Sequence, residues 1–364
     1  MSDQPVSRCD QDTDLTCWVD WSLAAAGARA LTPAGPRLRP AEARDVVAGL
    51  RDASRRASQP VADATRLACS DEGSPALVVD RATWAQINID SFRVLLDPVV
   101  DEAVRRNGRA APHRVTRVVG SSATGSEVAV LMSILATRVL GQYDLAYGTD
   151  RPGQLLLVAP NIVQVERQLD LKPTDFRQWV CLHEETHRVQ FTAVPWLREH
   201  LVQQTRQIAV DLLPHGRHMR ERLSALVAGL DHVRRADSAG VAELMMSPGQ
   251  RDAVDRLRAV MALLEGHADV IMDEVGPAVV PSVAQIRSRF DQRRHSITGL
   301  DLWWRRLVGL EAKMAQYRDG ADFVRQVISS VGIDDFNAVW TDPQHLPTPQ
   351  EIAAPQLWIR RIHG

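Results

Sequence analysis

The sequence predicts a predominantly helical α+β chain with a few short strands. Three observations carry this. The second half is a run of apolar patterns at helical spacing, cut at Pro195, Pro214, Pro248, Pro277 and Pro281 and later around Gly299, Gly332 and Pro347. Leu77–Val79 and Leu155–Val158 are short apolar runs bounded by Gly, Pro, Asp or Asn, as strands are. Third, no internal repeat appears along the chain.

From the N-terminus, the Trp- and Ala-rich segment from Thr16 to Leu31 reads as a helix, ended by Pro33, Gly35, Pro36 and Pro40. Ala41 to Ala57 alternates acidic and arginine positions and reads as a second helix with a solvated face. Val128 to Leu140 has helical periodicity, and the cluster Gly120, Ser121, Ser122, Thr124, Gly125 and Ser126 before it reads as a turn with helix caps. It lacks the lysine that a phosphate-binding loop would need. Two regions are expected, a mainly helical part over 1–115 packing on a catalytic part over 116–364.

Composition excludes several classes of function. The 364 residues carry 43 basic and 45 acidic side chains, a formal charge of -2, so no strong field favours nucleic acid as a partner. No stretch reaches the roughly 18 apolar residues that span a bilayer, and the polar, acidic start is unlike a signal peptide. Cys9, Cys17, Cys69 and Cys181 are scattered without a CxxC pair, which suits a reducing compartment. The expectation is a cytoplasmic protein without membrane or nucleic-acid partners, its oligomeric state open.

The chemistry concentrates in the segment Thr174 to Phe191. Phe176, Val180, His183, His187 and Phe191 fall at offsets of four, seven, eleven and fifteen, one face of a 3.6-residue helix. Thr174 is placed to cap it, Asp175 suits its positive end and Pro195 limits its other end. Histidines four apart stand ~6 Å from each other at Cβ, and from there two imidazoles reach one zinc ion at ~2.1 Å. Glu184, turned ~100° from His183, is free to serve as general base toward metal-activated water. The letters HEETH thus encode two metal ligands and a base.

Catalytic zinc takes three protein ligands. The best third candidate lies 78 residues after His187, in the run Leu263, Leu264, Glu265, Gly266, His267, Ala268, Asp269. Its helix is expected over Asp252 to Val275, with Leu257, Met261, Leu264, Ala268, Ile271 and Val275 as its apolar stripe. Glu265 is the preferred ligand, with Asp269 accepting the free ring N–H of a ligand histidine. His267 is the alternative ligand; its helical phase, ~200° from Glu265, keeps both from facing one ion. Tyr317, His295 and Arg294 are chemically able to stabilise an oxyanion, whereas His215, His218 and His232 read as exposed bystanders.

HEETH followed by Ala193, Val194, Pro195, Trp196 and Leu197, and then Leu-Leu-Glu-Gly-His-Ala-Asp at 263–269, resembles the actinobacterial zincin-like family of zinc-dependent metalloproteases, including its branch called coenzyme F-420 biosynthesis-associated. Val139 to Asp144, Val158 to Asn161, Lys313, Gln316, Tyr317 and Gly320, Leu346 to Thr348 and Trp358 are further matching stretches. The resemblance extends from about residue 120 to the C-terminus. It implies a zincin-like fold, His183 and His187 as ligands of Zn²⁺, Glu184 as base and Glu265 as third ligand. Glu185 is an ambiguity, since a second acid facing inward would add negative charge to the site. The expected activity is hydrolysis of a peptide or small amide. Two rivals stand beside it: an accessory protein of zincin fold linked to deazaflavin coenzyme (F-420) metabolism, and a metal-dependent hydrolase of a small amide or ester.

Overall fold

The computed structural model describes residues 19–67, 74–107, 114–145, 153–212, 248–295 and 310–364; within these, side chains are described except at 100–120, 123, 209–212, 248, 291, 293–295 and 310–318. Helices dominate, around one three-stranded sheet of order β1-β3-β2. In it β1 (Leu77–Val79) runs parallel to β3 (Gln154–Val158), and β2 (Gly141–Asp144) pairs antiparallel on the other side. Every residue of β3 is buried, because a central strand covered on both faces has no solvent side and its sequence need not alternate.

The two faces of β3 lead into two cores. Leu156 and Val158 point to α1 (Trp21–Leu31), α3 (Arg81–Asn107) and α4 (Arg114–Leu135), meeting Ala24, Ala28, Trp84, Ile89, Ala129 and Met132. Leu155 and Leu157 point the other way, into the larger core built by α2 (Pro40–Thr65), α5 (Ala159–Gln168) and α6 (Pro173–Ala193). This is the period-2 alternation of a strand, expressed as two separate apolar clusters. Since β1 comes from before residue 115 and β2 and β3 from after it, both parts of the chain build one sheet.

Helix α6 is central. Twelve of its 21 residues are buried, and they include polar ones, Gln178, Glu184, Glu185, Thr186 and Gln190, so almost every side of it meets protein. After α7 (Pro195–Leu212), the long helix α8 (Pro248–Val279) crosses α6, and α10 (Leu310–Val331) runs along α8, with α9 (Val283–His295) between them in the chain. Gly266 and Gly320 make the α8–α10 crossing: a Cβ on Gly266 would stand 2.2 Å from the backbone carbon of Gly320, and one on Gly320 would stand 2.0 Å from the carbonyl oxygen of Ala262. Neither position accepts any side chain at this separation.

The C-terminal segment closes over this pair. A short helix α11 (Ile333–Phe336) and the 3-10 turn Asn337–Trp340 follow Gly332, whose φ of 87° belongs to the left-handed region that ends helices. Trp196 Nε1 donates to the Trp340 carbonyl at 3.0 Å, tying α7 to this turn. Helices α12 (Pro349–Ala353) and α13 (Pro355–His363) are held by Arg361, which pairs with Glu351 at 2.6 and 2.9 Å. No helix among the described residues is long and apolar enough to cross a membrane.

Several expectations about elements change. The cluster Gly120–Ser126 is not a turn but lies inside α4. Its small residues serve a helix contact: a Cβ on Gly125 would come 2.6 Å from the Asp20 carbonyl oxygen, so α1 lies directly on α4 there. Thr174 does not cap α6; Lys172 is the capping position, Pro173 opens the first turn and the Thr174 hydroxyl donates to Asp175. Pro277 does not break α8, which runs to Val279. Pro214 and Gly299 lie outside the described residues.

Candidate metal centre

The site is built where α6 crosses α8. His183 and His187, one helical turn apart on α6, bring their Nε2 atoms to 3.1 Å, the rings meeting edge to face. Across the crossing, Glu265 of α8 places Oε2 3.4 Å from His183 Nε2 and Oε1 3.7 Å from His187 Nε2. Among the described residues these three offer donor atoms within 4.8 Å of one another. Donors held ~2.1 Å from a tetrahedral zinc ion stand about 3.4 Å from each other, so the observed separations fit such an ion. The three side chains are partly accessible, 26%, 12% and 27%, which leaves a route from solvent.

Glu184 lies between the two histidines in sequence but points to the sheet, 6% exposed, against the edge strand β2. A Cβ at Gly141 would stand 2.5 Å from the Glu184 carboxyl carbon, so the glycine is what lets the strand and the carboxylate lie together. Tyr143, two residues on and therefore on the same strand face, stacks on Phe191 at 5.5 Å and fixes β2 to α6. Glu185 faces α2 instead. It pairs with Arg188, whose guanidinium also reaches the Ser58 hydroxyl at 2.9 Å, so its charge is neutralised away from the histidines.

The electrostatics follow from burial and from this geometry. Burial would lower the proton affinity of His183, but the hydrogen bond and charge of Glu265 override it and hold the imidazole up at about 9. Burial acts on Glu265 in the opposite sense to its partners; the nearby His187 and His183 prevail and hold it down to about 2. Burial depresses His187, and His183 adds to that effect. Without a metal, His183 and Glu265 therefore form an ion pair with neutral His187 beside it. Glu184 is pushed up to about 7, first by burial and then by Glu265, against His183. That places its proton exchange in the working range of a general base.

His187 has a further partner that sequence reasoning passed over. Its Nδ1 lies 2.9 Å from Oε1 of Gln190, which is fully buried. A glutamine three residues after the second histidine, on the same helix face, was the available signal. Asp269 acts on His183 through its charge, raising its proton affinity. His267 points away from the three donors; its Nδ1 meets Gln190 Nε2 at 2.9 Å, and burial pushes it down to about 3. The side chains of Tyr317, His295, Arg294, His215, His218 and His232 lie outside the described residues.

The family model of zincin-like metallopeptidases matches residues 19–359. The chain belongs to this family. Among solved structures, the zincin-like chain is similar to a protein from Chloroflexus aurantiacus, described as having a novel fold and provisionally assigned as a hydrolase. The two share 31% identity over 94% of this chain and 98% of the other, with a TM-score of 0.66. A search of the curated proteins finds no match. A predominantly helical α+β chain of zincin-like family is thus what the fold and the family model agree on.

Proposed function

We propose that this zincin-like chain is a zinc-dependent hydrolase of peptide or small amide bonds, with His183, His187 and Glu265 as metal ligands and Glu184 as general base. The observation that carries the reading is the set of three donor separations, 3.1, 3.4 and 3.7 Å, beside a buried carboxylate on the same helix. Bound there, the ion would supply Lewis acidity toward the substrate carbonyl and the attacking water. The residues do the rest. Two neutral imidazoles and one carboxylate leave a single positive charge at the centre, suited to a developing oxyanion. Glu184 takes a proton from water as its oxygen bonds to the carbonyl carbon, then returns that proton to the amine nitrogen as the C–N bond breaks. A purely structural site would have no use for this carboxylate.

Peptides come first as substrates because the family is one of metallopeptidases. Small amides and esters belong in the same screen, because the same metal-activated water would attack their carbonyls. Elemental analysis of the purified protein tests the reading directly. About one zinc per chain is expected, lost in His183→Ala and in Glu265→Ala, followed by turnover in a peptide library with Glu184→Gln inactive. A wild-type protein that stays metal-free after zinc is added would remove the hydrolase reading.

A further inference from the structure

Gln190 makes three polar contacts, and one of them fixes the other two. Its Nε2 lies 3.0 Å from the carbonyl oxygen of Leu264, a group that can only accept, so the amide nitrogen must be the atom that faces α8. Turning the amide over would set two oxygens against each other in a fully buried place. With the nitrogen on that side, Oε1 faces His187 Nδ1 at 2.9 Å, and an amide oxygen can only accept. His187 must then carry its proton on Nδ1. Its Nε2 is left with a bare lone pair, directed at His183 and Glu265.

The second amide hydrogen has its own fixed end. Nε2 of Gln190 lies 2.9 Å from Nδ1 of His267, which must accept and therefore carries its proton on Nε2. That Nε2 has no hydrogen-bond partner among the described residues, and the His267 ring is fully buried. It is held by stacking, 5.5 Å from the Phe336 ring and 5.3 Å from the Trp340 ring. The C-terminal turn thus reaches the histidine pair through two side chains, His267 and Gln190.

We infer that Gln190 is the positioning residue that locks His187 in the tautomer able to bind a metal, and that the Leu264 carbonyl and His267 are the anchors that lock Gln190. This rests on the metal-centre reading proposed above. At His187 the partner is a neutral amide rather than a carboxylate, and it adds no charge to a site that already holds Glu265 and Glu184. The amide can serve either ring tautomer in principle, and it is the Leu264 carbonyl that removes the choice.

The test combines ring NMR with zinc affinity. Protein labelled with ¹⁵N-histidine is recorded zinc-free in a long-range ¹H–¹⁵N correlation, with His187 assigned from a His187→Gln sample. The expected result is a protonated Nδ1 and a bare Nε2 on His187, and a protonated Nε2 on His267. A proton on His187 Nε2 would overturn the inference without any further variant. Zinc affinity is then measured by competition with a chromophoric chelator. Gln190→Leu should weaken it about tenfold to hundredfold and abolish the tautomer preference, as loss of a residue orienting a ligand does. Gln190→Glu keeps an acceptor toward His187 but sets a second oxygen against the Leu264 carbonyl, so it should restore the tautomer preference, recover the affinity only in part and melt lower than wild type. Thermal melts of each variant separate this from unfolding. Zinc bound equally by wild type and a folded Gln190→Leu would overturn the inference and leave the metal-centre reading in place. A wild type with the expected tautomer that takes up no zinc would instead overturn the metal-centre reading, and with it the purpose assigned to Gln190.

Discussion

Gly141 and Glu184 occupy the same space in the sense that only one of them can have a side chain there: a Cβ at 141 would stand 2.5 Å from the Glu184 carboxyl carbon and 2.7 Å from Oε1. The proposed base is therefore placed by a strand residue that carries no Cβ. Gly141→Ala should push the carboxylate off its position while leaving His183, His187 and Glu265 intact. The expected outcome is a fall in kcat of about a hundredfold, the scale of an ångström-sized misplacement, with zinc content unchanged. Unaltered kcat in a zinc-replete Gly141→Ala protein would show that Glu184 does not act from this position.

As the proposed base, Glu184 should also set a pH limb. Burial is the main cause that raises it to about 7 in the metal-free site, and a base must be unprotonated to work. Activity should thus rise with pH and level off, never fall, as pH passes upward through this group's range. A bound cation stabilises the carboxylate, so the midpoint in the zinc-saturated protein should lie at or below about 7. The profile of kcat/KM against pH gives the midpoint; an acid limb centred well above 7 would assign it to another group.

Zinc uptake should depend on pH with the sign set by His183. Metal-free, this imidazole keeps its proton up to about 9 because Glu265 supports the charged form, and a ligand histidine must give that proton up. Binding then releases one proton at neutral pH, and affinity should rise about tenfold per pH unit between 7 and 9 before flattening. Calorimetry in buffers of different ionisation enthalpy counts the proton directly. Glu265→Gln removes the main support of the charged imidazole, so any residual binding in that variant should show a weaker pH slope near neutrality.

The candidate site was legible where helical periodicity and metal-ligand spacing coincide. Phe176, Val180 and Phe191 are only 0%, 2% and 8% exposed, as their shared face with the histidines requires. Helical phase alone left Glu265 and His267 as alternatives, because it separates them without saying which side meets α6; the α8–α10 crossing at Gly266 and Gly320 decides the orientation. Strand β2 escaped because Gly141-Gln142-Tyr143-Asp144 has no β-branched residue and is made a strand by pairing with β3 and by the Tyr143–Phe191 stack. The Gly120–Ser126 segment went the other way, its turn-forming composition overridden by the close contact of α1 with α4. In both cases tertiary packing outweighed local preference.

That crossing gives the last prediction. Glu265 and His267 flank Gly266, so the contact between α8 and α10 lies directly behind the side chains that α8 presents to α6. Gly320→Ala would set a methyl 2.0 Å from the Ala262 carbonyl oxygen, and backbone cannot rotate away as a flexible side chain can. The helices must separate, at a cost of about 1–3 kcal/mol or somewhat more for an overpacked core. Gly249→Ala is the matched control, since nothing among the described residues lies within 4 Å of a Cβ there and alanine in the first turn of α8 is mildly favoured over glycine. Denaturant unfolding should rank the proteins Gly249→Ala, wild type, Gly320→Ala from most to least stable, and zinc affinity should fall in Gly320→Ala alone. Equal stability of the two variants would mean that α8 and α10 do not pack through these glycines. A destabilised Gly320→Ala with wild-type zinc affinity would mean that the crossing supports the fold without setting the reach of Glu265.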